Sequence, residues 1–460
     1  MNFLPTRMAL ILLVFVLLCA TRGGANADTI TDALSAAYLS NPDLKAAGEA
    51  LNVTNEQRPQ ALAGWLPTIQ ITQGATQQNY SPPGRFGPGY RLRDTPTSVQ
   101  IVQPITRGGS EFARLRAAED NIRAQRAALL SAEQTVLFNA ASAYLSLWAN
   151  TKILQYRTVN RDALRHLVSA IEQLVAVGDR TLADQALAQA RLAQADANVD
   201  LARTAVDQAR AVYLQVIGTV PGSLATPRSL SGMPPRLQDM VSVAQLSNPS
   251  VVSAYYADKA AAEQVKVQIG ALLPSLSVQA NTTQDRYDYD PSGRNGLYTT
   301  ANMTLQLTVP LYQGGAEYSA VRAAKKTELQ LRYQLDSART QAISTVQQTW
   351  AQREGNQAAL SGLTTQVRAM TVAVDQYQRE LAAGLRTILE VVDGYQDQVN
   401  AQIQLVQTQQ SRIQNDYALL QSVGGLTARS LALPVQYYDP TGDYKRTKWR
   451  IFGLSVNQDD

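Results

Sequence analysis

The chain is one pattern written twice. Asp32, Ser35, Leu39, Ser40, Asn41 and Pro42 recur in the same spacing as Asp239, Ser242, Leu246, Ser247, Asn248 and Pro249. Leu66-Pro67 recurs as Leu273-Pro274, and both matches are offset by 207. Farther along the offset is 206: Pro104 matches Pro310, and Gly108-Gly109 matches Gly314-Gly315. Gly178-x-Arg180-Thr181 likewise matches Gly384-x-Arg386-Thr387, and Gly218 matches Gly424. Self-similarity over so much of a chain means two copies of one structural unit. The repeats are assigned to 28–218 and 238–424, joined by the Pro/Gly-rich stretch 219–237 and followed by a tail at 425–460.

Each unit reads helix, strand, strand, long helix, break, helix. The first helix (about 31–64) ends near Trp65-Leu66-Pro67, because a proline disfavours helix at the residue before it. Alternation then switches to period two, as in Ile69-Gln70-Ile71-Thr72 and Leu276-Ser277-Val278-Gln279-Ala280. This predicts strands at about 68–79 and 96–105, and again at about 275–285 and 299–309. After each Gly-Gly pair the period is helical again, over about 111–177 and 316–383. Leu115, Ile122, Leu129 and Val136 repeat every seven residues, as do Val392, Val399, Val406, Ile413 and Leu420. A strict seven-residue repeat implies left-handed supercoiling against a neighbouring helix. Glu111 to Ala176 holds no Pro or Gly over 66 residues, which is about 100 Å of helix.

Composition narrows the chemistry. Apolar residues make up 45 %, enough for a large core, but charged residues only 17 %, against about 25 % in soluble domains. Gln, Ser, Thr and Asn supply the polar surface. A net charge of +4 without a long basic block gives no footprint for nucleic acid. Arg7, the apolar run Met8–Ala20 and Ala25-Asn26-Ala27 read as a secretory signal peptide over 1–27. Cys19 admits a lipoprotein reading, but Leu18 stands where such sites want a small residue, so ordinary cleavage before Asp28 is preferred. With Cys19 removed and one His, His166, the common zinc sites and His-based triads are nearly excluded. His166 reads as a surface or seam residue. No nucleophile, base and orienter stand together, so no enzyme and no cofactor is expected.

Four strands of about ten residues have the length of an outer-membrane span, with an apolar face and a Gln/Thr/Ser face. They cannot close a barrel alone, and open edges are untenable in lipid, so a barrel would be shared between chains. A soluble antiparallel sheet with one wet face is the other reading of the alternation. Tyr80, Tyr90, Tyr287, Tyr289 and Tyr298 fit either an interface girdle or ordinary loop tyrosines.

The ordered set of motifs resembles the TolC family of outer-membrane channel-tunnels over nearly the whole processed chain. The resemblance is carried by Asn41-Pro42 and Asn248-Pro249, the two Leu-Pro pairs, Pro310-Leu311-Tyr312-Gln313-Gly314-Gly315, and Gly384-Leu385-Arg386-Thr387-Ile388-Leu389-Glu390-Val391-Val392-Asp393. The tail from Leu433-Pro434 to Asp439-Pro440 resembles the branch that serves type I protein secretion. The resemblance implies a mostly α protein with a small β part. It implies a homotrimer whose 12-stranded transmembrane β-barrel continues into a 12-helix periplasmic α-barrel. The 219–237 linker and the tail would form an equatorial belt. The implied partners are outer-membrane lipid, a periplasmic adaptor (membrane fusion) protein and an inner-membrane ABC transporter or proton-driven pump. Small-molecule efflux is the alternative duty of such a duct, and a periplasmic coiled coil without a pore is a third reading.

The resemblance also implies a gate. Gly178 and Gly384 mark the two helix turns at its periplasmic end. Arg386 and Asp184 take the positions of a latch, and Glu390 and Asp393 those of an acidic ring in the pore. Arginine suits a latch because its planar fork stays charged and meets carboxylates. Glu390 and Asp393, three apart, share a helix face. The chain departs from the family at Leu381, where the family has an aromatic five residues before the arginine.

Overall fold

The computed structural model describes residues 28–80, 90–230, 234, 236–289 and 296–454. The signal peptide, most of the turn after Tyr80 and residues 455–460 lie outside them. So do the side chains of Tyr80, Tyr90, Tyr287 and Tyr289, on which the girdle reading rests. Two compact units are formed. One comprises the chain as far as Lys45 with Leu130–Asn248 and Ala342–Tyr437; the other comprises Ala46–Leu129, Pro249–Gln341 and the chain from Tyr438.

In chain order the helices are α1 (Ile30–Ser40), α2 (Pro42–Asn55), α3 (Gln57–Leu62), α4 (Ser110–Ala176), α5 (Leu182–Ile217), α6 (Leu237–Ser247), α7 (Pro249–Gly270), α8 (Ala316–Ala382), α9 (Ile388–Ser422) and α10 (Gly442–Thr447). The strands are β1 (Thr68–Gln73), β2 (Thr76–Tyr80), β3 (Tyr90–Asp94), β4 (Thr97–Arg107), β5 (Ser275–Tyr289) and β6 (Gly296–Thr308). The protein is mostly helical with one sheet. No described helix is long and apolar enough to cross a membrane.

The expected single helix over 31–64 is broken, and prolines are the reason. Asn41 precedes Pro42 and is extended (φ −63°, ψ 123°). Its side-chain oxygen accepts from the Asp43 and Leu44 amides, capping α2. Pro42 then opens that helix, where its missing N–H is harmless. Pro59 cannot donate to the preceding turn, so a new helix starts at Gln57 with Pro59 in its first turn.

In the first unit, the Asn-Pro pairs join helix ends. Ser40 Oγ donates to the Ile217 carbonyl at the end of α5 (3.0 Å), and Asn41 Nδ2 reaches the Val216 carbonyl at 3.5 Å. In the second repeat Asn248 Nδ2 donates to the Ser422 carbonyl at the end of α9 (2.8 Å). Orphan carbonyls at a helix C-terminus need such donors. The core around these joints holds Leu34, Leu137, Tyr144, Tyr213, Ile217 and Tyr417, all buried. Asp28 is tied to the linker, donating its N–H to the Ser223 carbonyl and accepting the Gly222 amide. The Tyr144 hydroxyl donates between the Asp28 and Ala225 carbonyls (2.8 and 2.7 Å). Burial raises this hydroxyl's pKa to about 12, keeping it a donor. Glu133 accepts the Ala428 amide from the tail, and burial raises its pKa.

In the second unit, the strand expected at 68–79 is interrupted by Gly74-Ala75, while the one expected at 96–105 runs unbroken as β4, separated by Thr95-Pro96 from the additional β3. Pro96 has no N–H for a ladder, and the Gly74 amide donates to its carbonyl across the break (2.9 Å). β3 and β4 both pair with β5, and β1 and β2 pair with β4 and β3. With the β5–β6 pairing the sheet is in effect four long antiparallel strands. Register aligns Ile69, Ile101, Ala280 and Met303 across all four, and the next row, Gln70, Gln100, Asn281 and Asn302, on the other face. Ile69, Ile71, Met303, Leu305 and Leu307 are all more than 60 % exposed. An apolar face this open marks a surface that something else covers.

Tyr144→Phe removes a buried hydroxyl that bridges two part-buried carbonyls. We expect a loss of about 1 kcal/mol, read as a lower denaturation midpoint of the detergent-solubilised protein by circular dichroism.

Candidate functional site

Two helix turns in the first unit are built on one plan. α4 ends at Ala176, and Gly178 (φ +83°) carries the left-handed turn that reverses the chain. Gly384 (φ +73°) does the same after α8. The Asp179 amide donates to the Leu174 carbonyl and the Leu385 amide to the Glu380 carbonyl (2.9 and 2.8 Å). These bonds consume carbonyls left over at the helix ends. The returning helices start with capping boxes. Thr181 Oγ1 accepts the Asp184 amide while Asp184 accepts the Thr181 amide. Thr387 and Glu390 repeat the arrangement.

The plan then diverges. At the second turn Arg386 sits in a cage. Its Nε donates to Glu380 (2.6 Å) and its Nη1 to Glu390 (3.2 Å). Its guanidinium carbon lies 3.9 Å from the centre of the Tyr377 ring, well inside cation–π range. The Glu380 bond, above all, raises the pKa of Arg386. Tyr377 can lie flat because position 394 is glycine: a Cβ there would come 2.8 Å from the ring's Cδ2. The duplication places Ile171, Leu174 and Ala188 where the second turn has Tyr377, Glu380 and Gly394. The first turn therefore has no cage, and Arg180 Nε is buried there without a hydrogen-bond partner.

The structure does not bring Arg386 to Asp184. Asp184 is occupied by Thr181, at 2.8 Å from its hydroxyl, and the carboxylates on Arg386 are Glu380 and Glu390. Glu390 has its pKa lowered, mainly by the Thr387 backbone and side-chain bonds. Asp393 pairs with Arg191 of α5 (3.3 Å), which ties the two returning helices together. Leu381 packs against a buried cluster of Leu164, Ile171, Ile388, Val391 and Tyr395. The aromatic ring on Arg386 comes from Tyr377, one helical turn before Leu381. Tyr377, Glu380 and Arg191 escaped the sequence reading. For Tyr377 and Glu380 the available signal was hairpin register: residues equidistant from a turn face each other, which sets Glu380 against Thr387 and Tyr377 against Glu390. Among the described residues no group of His, Cys, Asp or Glu could hold a metal.

Gly394→Ala should push the Tyr377 ring off Arg386, and Tyr377→Leu should remove it. Amide exchange around 378–388 is expected to quicken about two- to fivefold in either variant, from loss of the cation–π contact. The cap has a definite pH window. The depressed Glu390 contributes above its ordinary value of 4.5 and is lost only as pH falls through its lowered pKa. Exchange at the cap should therefore be flat, after correction for intrinsic rates, from neutral pH down to about 5.

The profile of the family described as "Outer membrane efflux protein" matches residues 33–219 and 240–425, one match per repeat. The chain is 30 % identical to the outer membrane efflux protein BepC of Brucella suis, over 94 % of this chain and 93 % of BepC. It is 24 % identical to the outer membrane protein TolC of Escherichia coli, over 88 % of this chain and 84 % of TolC. It is 23 % identical to the proteases secretion protein PrtF of Dickeya chrysanthemi, over 91 % and 93 %. The crystal structure of the Campylobacter jejuni CmeC outer membrane channel superposes with a TM-score of 0.78 at 15 % identity, covering 91 % of this chain and 89 % of that one.

Proposed function

The chain belongs to the outer membrane efflux protein family, and from that premise we propose that it is a type I secretion duct, passing an unfolded protein from an inner-membrane pump to the exterior. Members of this family are outer-membrane channels, not enzymes, and work with inner-membrane pumps and periplasmic adaptors in tripartite systems. The observation that carries the reading is the uncovered apolar row of the sheet, from Ile69 to Met303, on a ribbon with two free edges. Three copies give twelve strands, enough to close a barrel with that row toward lipid and the Gln/Asn row toward water. The helices continue the barrel into the periplasm, with the linker and tail as a belt around it. Energy comes from the pump, since the sequence holds no G-x-x-x-x-G-K-[ST] phosphate loop.

The paired turns are the gate at the periplasmic end. Three copies of Glu390 and Asp393 make a cation-attracting ring. Arg386, held by Tyr377, Glu380 and Glu390, keeps the second hairpin closed. Asp184, bound to Thr181 within its own chain, is the acceptor for an arginine of a neighbouring copy.

The tail between Leu433 and Pro440 and the full-length likeness to PrtF favour protein as cargo. Small-molecule efflux is the second reading, favoured by the 30 % identity to BepC. A deletion strain separates them. Loss of one large protein from the medium, with unchanged sensitivity to dyes, detergents and antibiotics, is the expected result. Drug sensitivity with an intact secretome would assign the duct to efflux.

Single-channel conductance in a planar bilayer tests the gate. Arg386→Gln or Asp184→Asn should raise it, and unchanged conductance in both would sink the latch. Glu390→Ala with Asp393→Ala should weaken cation selectivity; unaltered selectivity would put the constriction elsewhere.

A further inference from the structure

Within the second unit the two repeats are joined twice. β4, the last strand of the first repeat, pairs with β5, the first strand of the second. Past the strands, the turn at Gly108 lies against the end of α7. A Cβ on Gly108 would come 2.2 Å from the Gly270 carbonyl oxygen and 2.7 Å from the Leu273 Cβ. Farther along α4, Arg116 faces Glu263 of α7 (3.9 Å). Ser110 and Glu111, between the turn and this pair, are buried.

The second repeat carries the same parts with nothing across from them. Arg116 is matched by Arg322 at the offset of 206, and Glu263 by Glu56 at the offset of 207. Among the described residues neither of these side chains has an ionic or hydrogen-bond partner. Gly314 and Gly315 keep the left-handed turn (φ +69° and +84°), but nothing lies within 4 Å of where their Cβ atoms would stand. Ala316 is exposed and Glu317 half-buried, where Ser110 and Glu111 are buried. Leu311 and Tyr312 are 89 % and 78 % exposed. β6 stops at Thr308, whereas β4 runs on to Arg107, the counterpart of Gln313. A duplicated unit presents two complementary surfaces twice, and one chain joins only one pair of them. The surplus pair can meet head to tail between copies, which closes a ring.

We propose that the joint between copies repeats the joint within the chain: Arg322 of one copy pairs with Glu56 of the next, and the β6 strand, extended past Thr308, pairs with the next β1 so that Val309 stands opposite Ile71 and Tyr312 opposite Ile69. The inference rests on the shared-barrel reading and deepens it by naming the contacts. The register is that of β4 on β5, where Gln103 stands opposite Val278 and Thr106 opposite Leu276. The same offsets turn these pairs into Val309–Ile71 and Tyr312–Ile69. The pleat is kept, because Ile69 and Ile71 belong to the apolar row and so does Val309, two residues on from Leu307. Charge is complementary as well, an arginine on one surface and a glutamate on the other. The fit is not identical. A Cβ on Gly270 would come 2.8 Å from that of Ser110, and Ala63 and Ala316 stand at the matched positions. The helices at the joint between copies therefore lie slightly farther apart than those within a chain.

Paired cysteines test the register. Ile71→Cys with Val309→Cys sets two thiols opposite each other on adjacent strands, with Cα atoms about 4.5–5.5 Å apart, the span of a disulfide. Within one chain the two outer strands have β4 and β5 between them and lie about 14 Å apart, so any bond joins two copies. Oxidation of the full-length protein in outer-membrane vesicles should give covalent dimers and trimers on a non-reducing gel, and the single-cysteine variants should give none. Ile71→Cys with Leu307→Cys is the slipped control. Its Cα atoms would be about 7–8 Å apart, and it should crosslink at least about tenfold more slowly. Arg322→Glu and Glu56→Arg should each speed dissociation of the solubilised trimer about tenfold, three pairs being reversed at once, and the double variant should restore it. A trimer by light scattering that forms no bond at 71/309, or forms the one at 71/307 faster, overturns the register. Single reversals without effect, or a double variant no better than the singles, overturn the ion pair. A monomer by light scattering overturns the shared barrel itself.

Discussion

On the proposed reading of the sheet as a membrane span, its strands answer to one constraint, the hydrogen-bonding capacity of a peptide backbone placed against hydrocarbon. A strand in lipid must pair on both sides, because no water can satisfy a free N–H or C=O. Within one chain the sheet meets that demand only internally. The pairings run from the 68–80 strand through to β6, and the two outer strands each keep a free edge. β6 alone presents 13 residues along that edge. A soluble protein blunts such an edge with charge, proline or a covering helix. Here β6 carries Thr, Asn, Met, Leu and Gln and no charge. The edge is built to be paired, and self-association is the economical way to pair it. Pro96 falls at a break in the ladder and not inside it, as the same constraint requires.

The first unit answers to a different demand, the orphan groups at helix ends. Its helices stop and restart at Asn-Pro pairs, and the asparagine serves both sides of the joint. Asn41 caps α2 with its oxygen and reaches the end of α5 with its nitrogen. Asn248 does the second job at the end of α9. Duplication preserved this chemistry because every copy of the fold needs it. It did not preserve the cage around Arg386. Ile171 and Ala188 at the first turn are core and Leu174 is exposed, where Tyr377, Glu380 and Gly394 make a polar clasp. Divergence at matched positions separates what holds the fold from what this chain does with it.

The duplication, the helical periods and the two-residue alternation were legible because they are periodic, and burial imposes period. In the seven-residue series Ile122, Leu129, Val136, Val392, Val399, Val406 and Ile413 are buried, and the end members Leu115 and Leu420 are half-buried. The breaks within 31–64 were less legible, though Pro42 and Pro59 were in plain view, because proline is tolerated in a first turn and so marks a start as readily as an end. The Arg386 partners were the least legible. They depend on hairpin register across a turn, and register follows from the left-handed residue at Gly384, which sets where the chain reverses. Leu381 was read as a missing aromatic. In the structure Tyr377 lies on Arg386, and Leu381, partly buried, packs against the core cluster.

On the proposed reading of the turns as a gate, such contacts have a useful weakness. Arg386 is half-buried and both of its carboxylate partners are exposed, so no deeply buried charge is stranded when the clasp opens. Turning a two-state device from almost wholly shut to almost wholly open requires about a 10⁴-fold shift in its equilibrium. Shared among three copies, that is only about twentyfold for each. A docked partner contacting three identical turns can supply this without unfolding a hairpin, because each capping box keeps its helix start intact whether or not Arg386 is held. The Arg191–Asp393 pair links α5 to α9 and so joins the two hairpins of a copy. The strong local interactions thus fix the shape of each turn, and the weak ones decide where the turn sits.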